Sequence, residues 1–218
     1  MSKIKHILFD CDGVLVDTEY TAAIKMCEAL EREGMSIDLE HYLREHSGTT
    51  FSGILGRYFA DSMSDENKHT LMRRVEAEVA AAVRAVPGIP ELLPAIKTAK
   101  SVVSNSSLET VRHALKVTGI RAYFDGRIFS SEQVPRAKPA PDLYLLAIRS
   151  LGLNPQQILV VEDSRTGTQA ARAAGLAVIG FAAASHILPG HGEKLLELGA
   201  ERVAASTDEL QSILHSYL

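Results

Sequence analysis

Two aspartates, Asp10 and Asp12, close the first apolar run of the sequence in Asp10-Cys11-Asp12-Gly13. Carboxylates at i and i+2 at the end of a strand point to one side. There they repel unless a cation lies between them or one keeps its proton. The pair is therefore suited to holding a divalent ion or to moving a proton. Gly13 gives the backbone freedom to leave the strand sharply, and Cys11, pointing the other way, reads as a small core residue. A second acidic pair, Glu162-Asp163, closes the apolar run Ile158-Leu159-Val160-Val161. Carboxylates at two strand tips make the oxygen-rich environment that suits Mg2+.

Between the acids lie hydroxyls, an amide and a lysine. Ser104-Asn105-Ser106-Ser107 ends another apolar run, and Ser106 followed by Glu109 has capping-box spacing, so a helix is expected to begin there. A helix start offers unpaired N–H groups and a partial positive charge that can seat a phosphate. Lys138, in Ala137-Lys138-Pro139-Ala140-Pro141-Asp142, is clamped by prolines just before a helix start. Each signal also has a bland explanation. The Asp pair could close a strand–turn, the serines could only cap a helix, Lys138 could be a solvated charge, and Glu162-Asp163 could be an acidic helix start without metal. Ser164 reads first as the cap of its helix.

The elements that must position these groups follow from periodicity. Strands are expected at Ile4–Asp10, Ser101–Asn105, Arg127–Ser130, Gln157–Glu162 and Leu176–Phe181, with a weaker one near Arg202–Ala205. Most are apolar on both faces, as in a parallel sheet covered by helices. Helical stripes (Leu108, Val111, Leu115; Leu143, Leu146, Ala147, Leu151) alternate with them. The expected class is α/β, a doubly wound parallel sheet. From Asp17 to Val86 no strand is legible, only the stripes Tyr20, Ala23, Ile24, Cys27, Leu30 and Leu71, Val75, Val79, Ala82, Val83, Val86. About 70 residues of helix is too long for one crossover. The expected organisation is an α/β core from 1–16 and 87–218, with an inserted helical domain at 17–86.

Composition narrows the function. A chain of 218 residues, 46% hydrophobic and 23% charged, is neither disordered nor fibrous. A formal net charge of −4 leaves no electrostatic footprint for nucleic acid or an anionic membrane, so neither partner is expected. Two cysteines are no disulfide framework, and the opening MSKIKHILFD has no apolar core for a signal peptide. The expectation is a cytoplasmic protein, a monomer or weak homo-oligomer. His186 and His191 flank a Pro-Gly turn with no cysteine or acid cluster in sequence, and read as loop residues rather than metal ligands.

The order of these motifs resembles the haloacid dehalogenase superfamily: DCDGVLVD its first motif, VVSNSS its second, AKPAPD its third and VVEDSRTG its fourth. The resemblance covers Ile4–Asp17 and Pro87 to about Phe181, with the helical insert similar in size and place to that family's small α-helical cap. It implies a Mg2+-dependent phosphatase acting on a small phosphorylated metabolite, a sugar or sugar-acid phosphate. Asp10 would be the nucleophile that forms an aspartyl-phosphate, and Asp12 the general acid and then base. Mg2+ would be held by Asp10, the Asp12 carbonyl and Asp163, with Glu162 in support. Ser104, Asn105 and Lys138 would bind the phosphate. An Asp at position 12 suits an alcohol leaving group that must be protonated, which dehalogenase and phosphonate-cleaving branches do not require.

In the cap, His46-Ser47-Gly48-Thr49-Thr50-Phe51 resembles the family's substrate-specificity loop. The related β-phosphoglucomutases carry an Arg where this sequence has Phe51, which favours a phosphatase over a phosphomutase. Besides the phosphomutase, a phospho-acceptor signalling domain is the competing expectation, since receiver modules also join a phosphorylatable Asp to acids and a Lys; motif order and the helical insert speak against it.

Overall fold

The structure is a computed structural model that describes residues 4–46, 51–59, 62–124 and 127–218. The chain divides into two compact units, Met1–Asp17 with Arg84–Leu218, and Thr18–Val83.

The first unit is built on six parallel strands, β1 (His6–Phe9), β2 (Ala99–Ser104), β3 (Ile128–Ser130), β4 (Ile158–Glu162), β5 (Ala177–Phe181) and β6 (Arg202–Ala204), in the order β3-β2-β1-β4-β5-β6. That order reverses direction between β1 and β4, and the crevice beyond the carboxyl ends at such a switch point is where open α/β sheets bind ligands. The register places Phe9 beside both Val102 and Val161, so Asp10 leaves β1 level with the ends of β2 and β4. Its amide donates to the Val161 carbonyl at 2.9 Å.

Burial on both faces explains why the strands read as continuous apolar runs. Leu8, Val103, Ile158, Val160 and Val178 pack with Leu143, Tyr144 and Ala147 of α7 (Asp142–Leu151), Ala170 and Ala171 of α8 (Arg165–Ala173) and Leu195 of α9 (His191–Glu197). Ile7, Phe9, Val102, Leu159, Val161 and Ile179 are buried on the other face. This unit also carries α5 (Ile89–Ala95), α6 (Leu108–Val117) and α10 (Thr207–Tyr217). Each fully buried aliphatic or Phe side chain contributes about 1.5–3 kcal/mol, and this core offsets the cost of the charges buried at the strand tips.

The helical unit consists of α1 (Thr18–Arg32), α2 (Leu39–His46), α3 (Phe51–Tyr58) and α4 (Asp65–Ala82). Ala23, Ala29, Leu30, Tyr42, Phe51, Ile54, Leu55, Phe59, Leu71 and Val75 form its core. The α1 stripe is rotated from the expected one: Thr21 and Ala29 are buried, whereas Tyr20, Ile24 and Cys27 are only partly so. Val86 lies outside this unit; its amide donates to the Leu15 carbonyl. Among the described residues, no helix is long and apolar enough to cross a membrane.

Candidate active site

Four segments of the α/β unit bring their polar groups to one end of the sheet. After β1 the chain turns back on itself: Leu15 and Val16 amides donate to the Cys11 carbonyl, and Gly13 sits at φ 79°. A Cβ on Gly13 would lie 1.8 Å from Asp163 Oδ2, so this glycine is needed both for its left-handed backbone and for the close approach of Asp163. Oxygens of Asp10, Glu162 and Asp163, all buried, lie within 4.8 Å of one another. Cys11 is buried too, and burial pushes its thiol well up, so it stays neutral.

The segment after β2 differs from the expected capping box. The cap of α6 is Ser107, whose Oγ accepts from the Thr110 amide at 3.1 Å. Ser106 Oγ instead donates to Asp12 Oδ2 at 2.8 Å. That bond draws the Ser106 hydroxyl away from the cap position. Ser104 Oγ donates to the same Asp12 oxygen at 3.3 Å and accepts from the Ser106 amide at 3.0 Å. Asn105, expected among the phosphate-binding side chains, spends its amide on the Lys138 backbone. Its Nδ2 donates to Lys138 O at 3.1 Å, and its Oδ1 accepts from Lys138 N at 2.9 Å. Its side chain therefore fixes the lysine's loop.

Lys138 is almost fully buried, and its Nζ donates to Asp10 Oδ1 (2.6 Å), Glu162 Oε1 (2.6 Å) and the Val103 carbonyl (2.8 Å). Those three bonds use all three ammonium protons. The lysine thus grips Asp10 and Glu162. Burial works against its charge, but Asp10 and Glu162 outweigh burial and hold Lys138 above the usual lysine range.

Glu162 was expected to support the metal. Its Oε1 accepts from Lys138 and from Tyr144 Oη (3.2 Å), and its Oε2 from the Ser164 amide (3.0 Å) and Ser164 Oγ (2.9 Å). Four donors fill the roughly four lone-pair sites of a carboxylate, so Glu162 orients Lys138 and the start of α8. Ser164 also caps α8, accepting from the Gly167 amide at 3.0 Å. A Cβ at Gly167 would lie 1.6 Å from Glu162 Oε1.

Asp10 and Asp163, with Glu162 beside them, form a buried acidic group that could hold a cation. Burial pushes the Asp10 carboxyl up to about 8; Lys138 pulls against that rise, while Glu162 and Asp12 add to it. The single ammonium of Lys138 thus does not offset burial and the neighbouring acids at Asp10. The all-oxygen donor set and this surplus of negative charge fit Mg2+, a hard cation.

Sequence reasoning missed several neighbours. Tyr144 was passed over inside an apolar stripe, although a tyrosine among leucines signals a buried hydroxyl in need of a partner. His186 and His191, read as loop residues, both reach Asp163. His186 Nε2 lies 3.7 Å from Asp163 Oδ2, and His191 Nε2 is within hydrogen-bond distance of the Asp163 carbonyl. In the helical unit, His46 is buried, bonded through Nε2 to Tyr58 Oη at 3.0 Å and packed against the Tyr42 ring. Phe51 is buried in that unit's core, the position of a packing residue. Ser47, Gly48, Thr49 and Thr50 lie outside the described residues.

The sheet order, the acidic strand tips and the buried lysine are those of a phosphoryl-transfer site on a doubly wound α/β core. The family described as haloacid dehalogenase-like hydrolase matches residues 7–181, and the chain belongs to it. It is 30% identical over 198 residues to the 6-phosphogluconate phosphatase of Escherichia coli K12, covering 87% of each chain. It is 32% identical over 179 residues to the fructose-1-phosphate phosphatase of the same organism, covering 78% of this chain and 92% of the relative. A solved hydrolase of the family from Deinococcus radiodurans R1, with bound phosphate and sodium, superposes with a TM-score of 0.86 at 31% identity, covering 100% of this chain and 97% of the other.

Proposed function

We propose that this phosphoric monoester hydrolase is a Mg2+-dependent phosphatase that removes phosphate from a small phosphorylated sugar or sugar acid through an aspartyl-phosphate on Asp10. The observation that carries the reading is the meeting of Asp10, Asp163 and the Lys138–Glu162 pair at the β1/β4 switch point. The two phosphatase relatives support the substrate class, and the phosphate in the Deinococcus relative supports a phosphate seat. Mg2+, held by Asp10, Asp163 and the Asp12 carbonyl, supplies charge neutralisation between anionic nucleophile and anionic phosphate.

The residues of the chain do the rest. Lys138 grips Asp10 Oδ1 and fixes the carboxylate in place, which leaves Oδ2 as the attacking atom. As the Oδ2–P bond forms, the P–O bond to the substrate breaks, and the departing alkoxide takes a proton from Asp12. Asp12, now a carboxylate, removes a proton from the water that attacks phosphorus. The acyl-phosphate P–O bond breaks, inorganic phosphate leaves and Asp10 is regenerated. Ser104 and Ser106 aim Asp12. The helical unit Thr18–Val83 is read as the cap that selects among substrates, with the segment from His46 to Phe51 as its specificity loop.

The test is a phosphate-release screen over phosphorylated sugars and sugar acids with Mg2+. Asp10→Asn and Asp12→Asn are each expected to lower kcat/KM on the order of 10⁴-fold or more. Turnover at parent rates by either purified variant overturns the assignment.

A further inference from the structure

The chemistry proposed above makes no use of the segment Ser185-His186-Ile187-Leu188-Pro189-Gly190-His191, which joins β5 to α9. Both of its histidines converge on one residue. The Asp163 carbonyl can only accept a hydrogen bond, so the partnered His191 Nε2 carries the proton. The buried His186 ring lies between two carboxylates, its Nε2 3.7 Å from Asp163 Oδ2 and its Nδ1 3.8 Å from Asp17 Oδ1. Asp17 is itself fixed, its Oδ2 accepting from the Ser185 amide at 3.3 Å and from Ser185 Oγ. Burial pushes Asp17 up, but His186 and Ser185 outweigh it and hold the carboxyl below its usual range, as an anionic anchor.

We propose that His186 and His191 are positioning residues that brace Asp163 from its carboxylate and its carbonyl sides and present its carboxylate to Mg2+. The inference rests on the reading of Asp163 as a metal ligand. Two contacts from one loop to both polar ends of a single residue restrict its rotamer and its peptide together, whereas either alone leaves one free. Partners behind a metal ligand typically account for about 10–100-fold in metal affinity. Among the described residues, the group of side chains close enough to share an ion contains Asp10, Glu162 and Asp163 and neither histidine.

The experiment is calorimetric titration of the full chain with MgCl2 alone. His186→Ala and His191→Ala are each expected to weaken Mg2+ binding by about tenfold or more. His191→Gln, whose amide can donate the same bond, is expected to recover most of the loss. His186→Asn and His191→Asn keep polarity but lose reach; they are expected to weaken binding likewise, and they carry the test if the alanine variants do not fold. Parent affinity in these folded variants overturns the brace, as does a fall in thermal stability with Mg2+ affinity unchanged. Asp163→Asn separates the two readings. If it binds Mg2+ as the parent does, the metal site itself is misassigned. If it loses binding while the histidine variants keep theirs, only the brace fails.

Discussion

In the mechanism we propose, Asp12 is the group whose proton decides which leaving groups can be expelled, and two serine hydroxyls hold one of its oxygens. The shorter bond comes from Ser106. A hydrogen bond to a charged group contributes about 1.5–3 kcal/mol, so Ser106→Ala is expected to lower kcat/KM for alkyl phosphates by at least about tenfold. An aryl phosphate with an acidic phenol needs little protonation and is expected to lose much less. Equal losses on both substrates would remove Ser106 from the control of Asp12. The sequence marks Asp10, Asp12, Glu162 and Asp163 because acids ending apolar runs are costly without a purpose. It does not mark Ser106, because two adjacent serines compete for one cap and a carboxylate 94 positions away decides between them. Glu162 shows the same limit: its neighbours in sequence do not reveal that Lys138, Tyr144 and Ser164 occupy both its oxygens.

At the scale of elements, periodicity carries far in the α/β unit, where the central strands β1 and β4 are buried on both faces. It carries less far in the helical unit. Phe51 matches a family position in the stretch His46–Phe51, and it is buried in the cluster that also holds Leu30, Tyr42, Ile54 and Leu55. Phe51→Ala is accordingly expected to destabilise the helical unit by about 3–5 kcal/mol, read by chemical denaturation followed by far-UV circular dichroism. The ratio of kcat/KM between two sugar phosphates is expected to stay at the parent value. A changed ratio with unchanged stability would restore Phe51 to substrate selection. The histidine loop was illegible for a different reason: its partners, Asp17 and Asp163, lie in other segments, and no local pattern announces a contact between the ends of β1 and β5.

For the whole molecule, the acids at the switch point, proposed to hold Mg2+, would link folding to cation binding. Buried charges that lack a full counter-charge oppose folding, and an ion that binds only the native state stabilises it by mass action. At about 100 times its Kd, Mg2+ is expected to add ~2.7 kcal/mol, which raises Tm by about 5–10 °C in a chain of this size. Thermal melts with and without MgCl2 check this; Asp163→Asn is expected to show no shift, and a parent chain that melts at one temperature in both conditions would contradict it.

The route by which the chain leaves and rejoins the α/β unit has its own consequence. The Asp17 amide donates to the Arg84 carbonyl at 2.8 Å, the Val86 amide to the Leu15 carbonyl at 3.1 Å, and Val16 pairs antiparallel with Ala85. Departure and return are thus stitched into a two-stranded stem. Such a stem keeps the two ends of the Thr18–Val83 insert side by side, so that a segment of another length can join the same two ends.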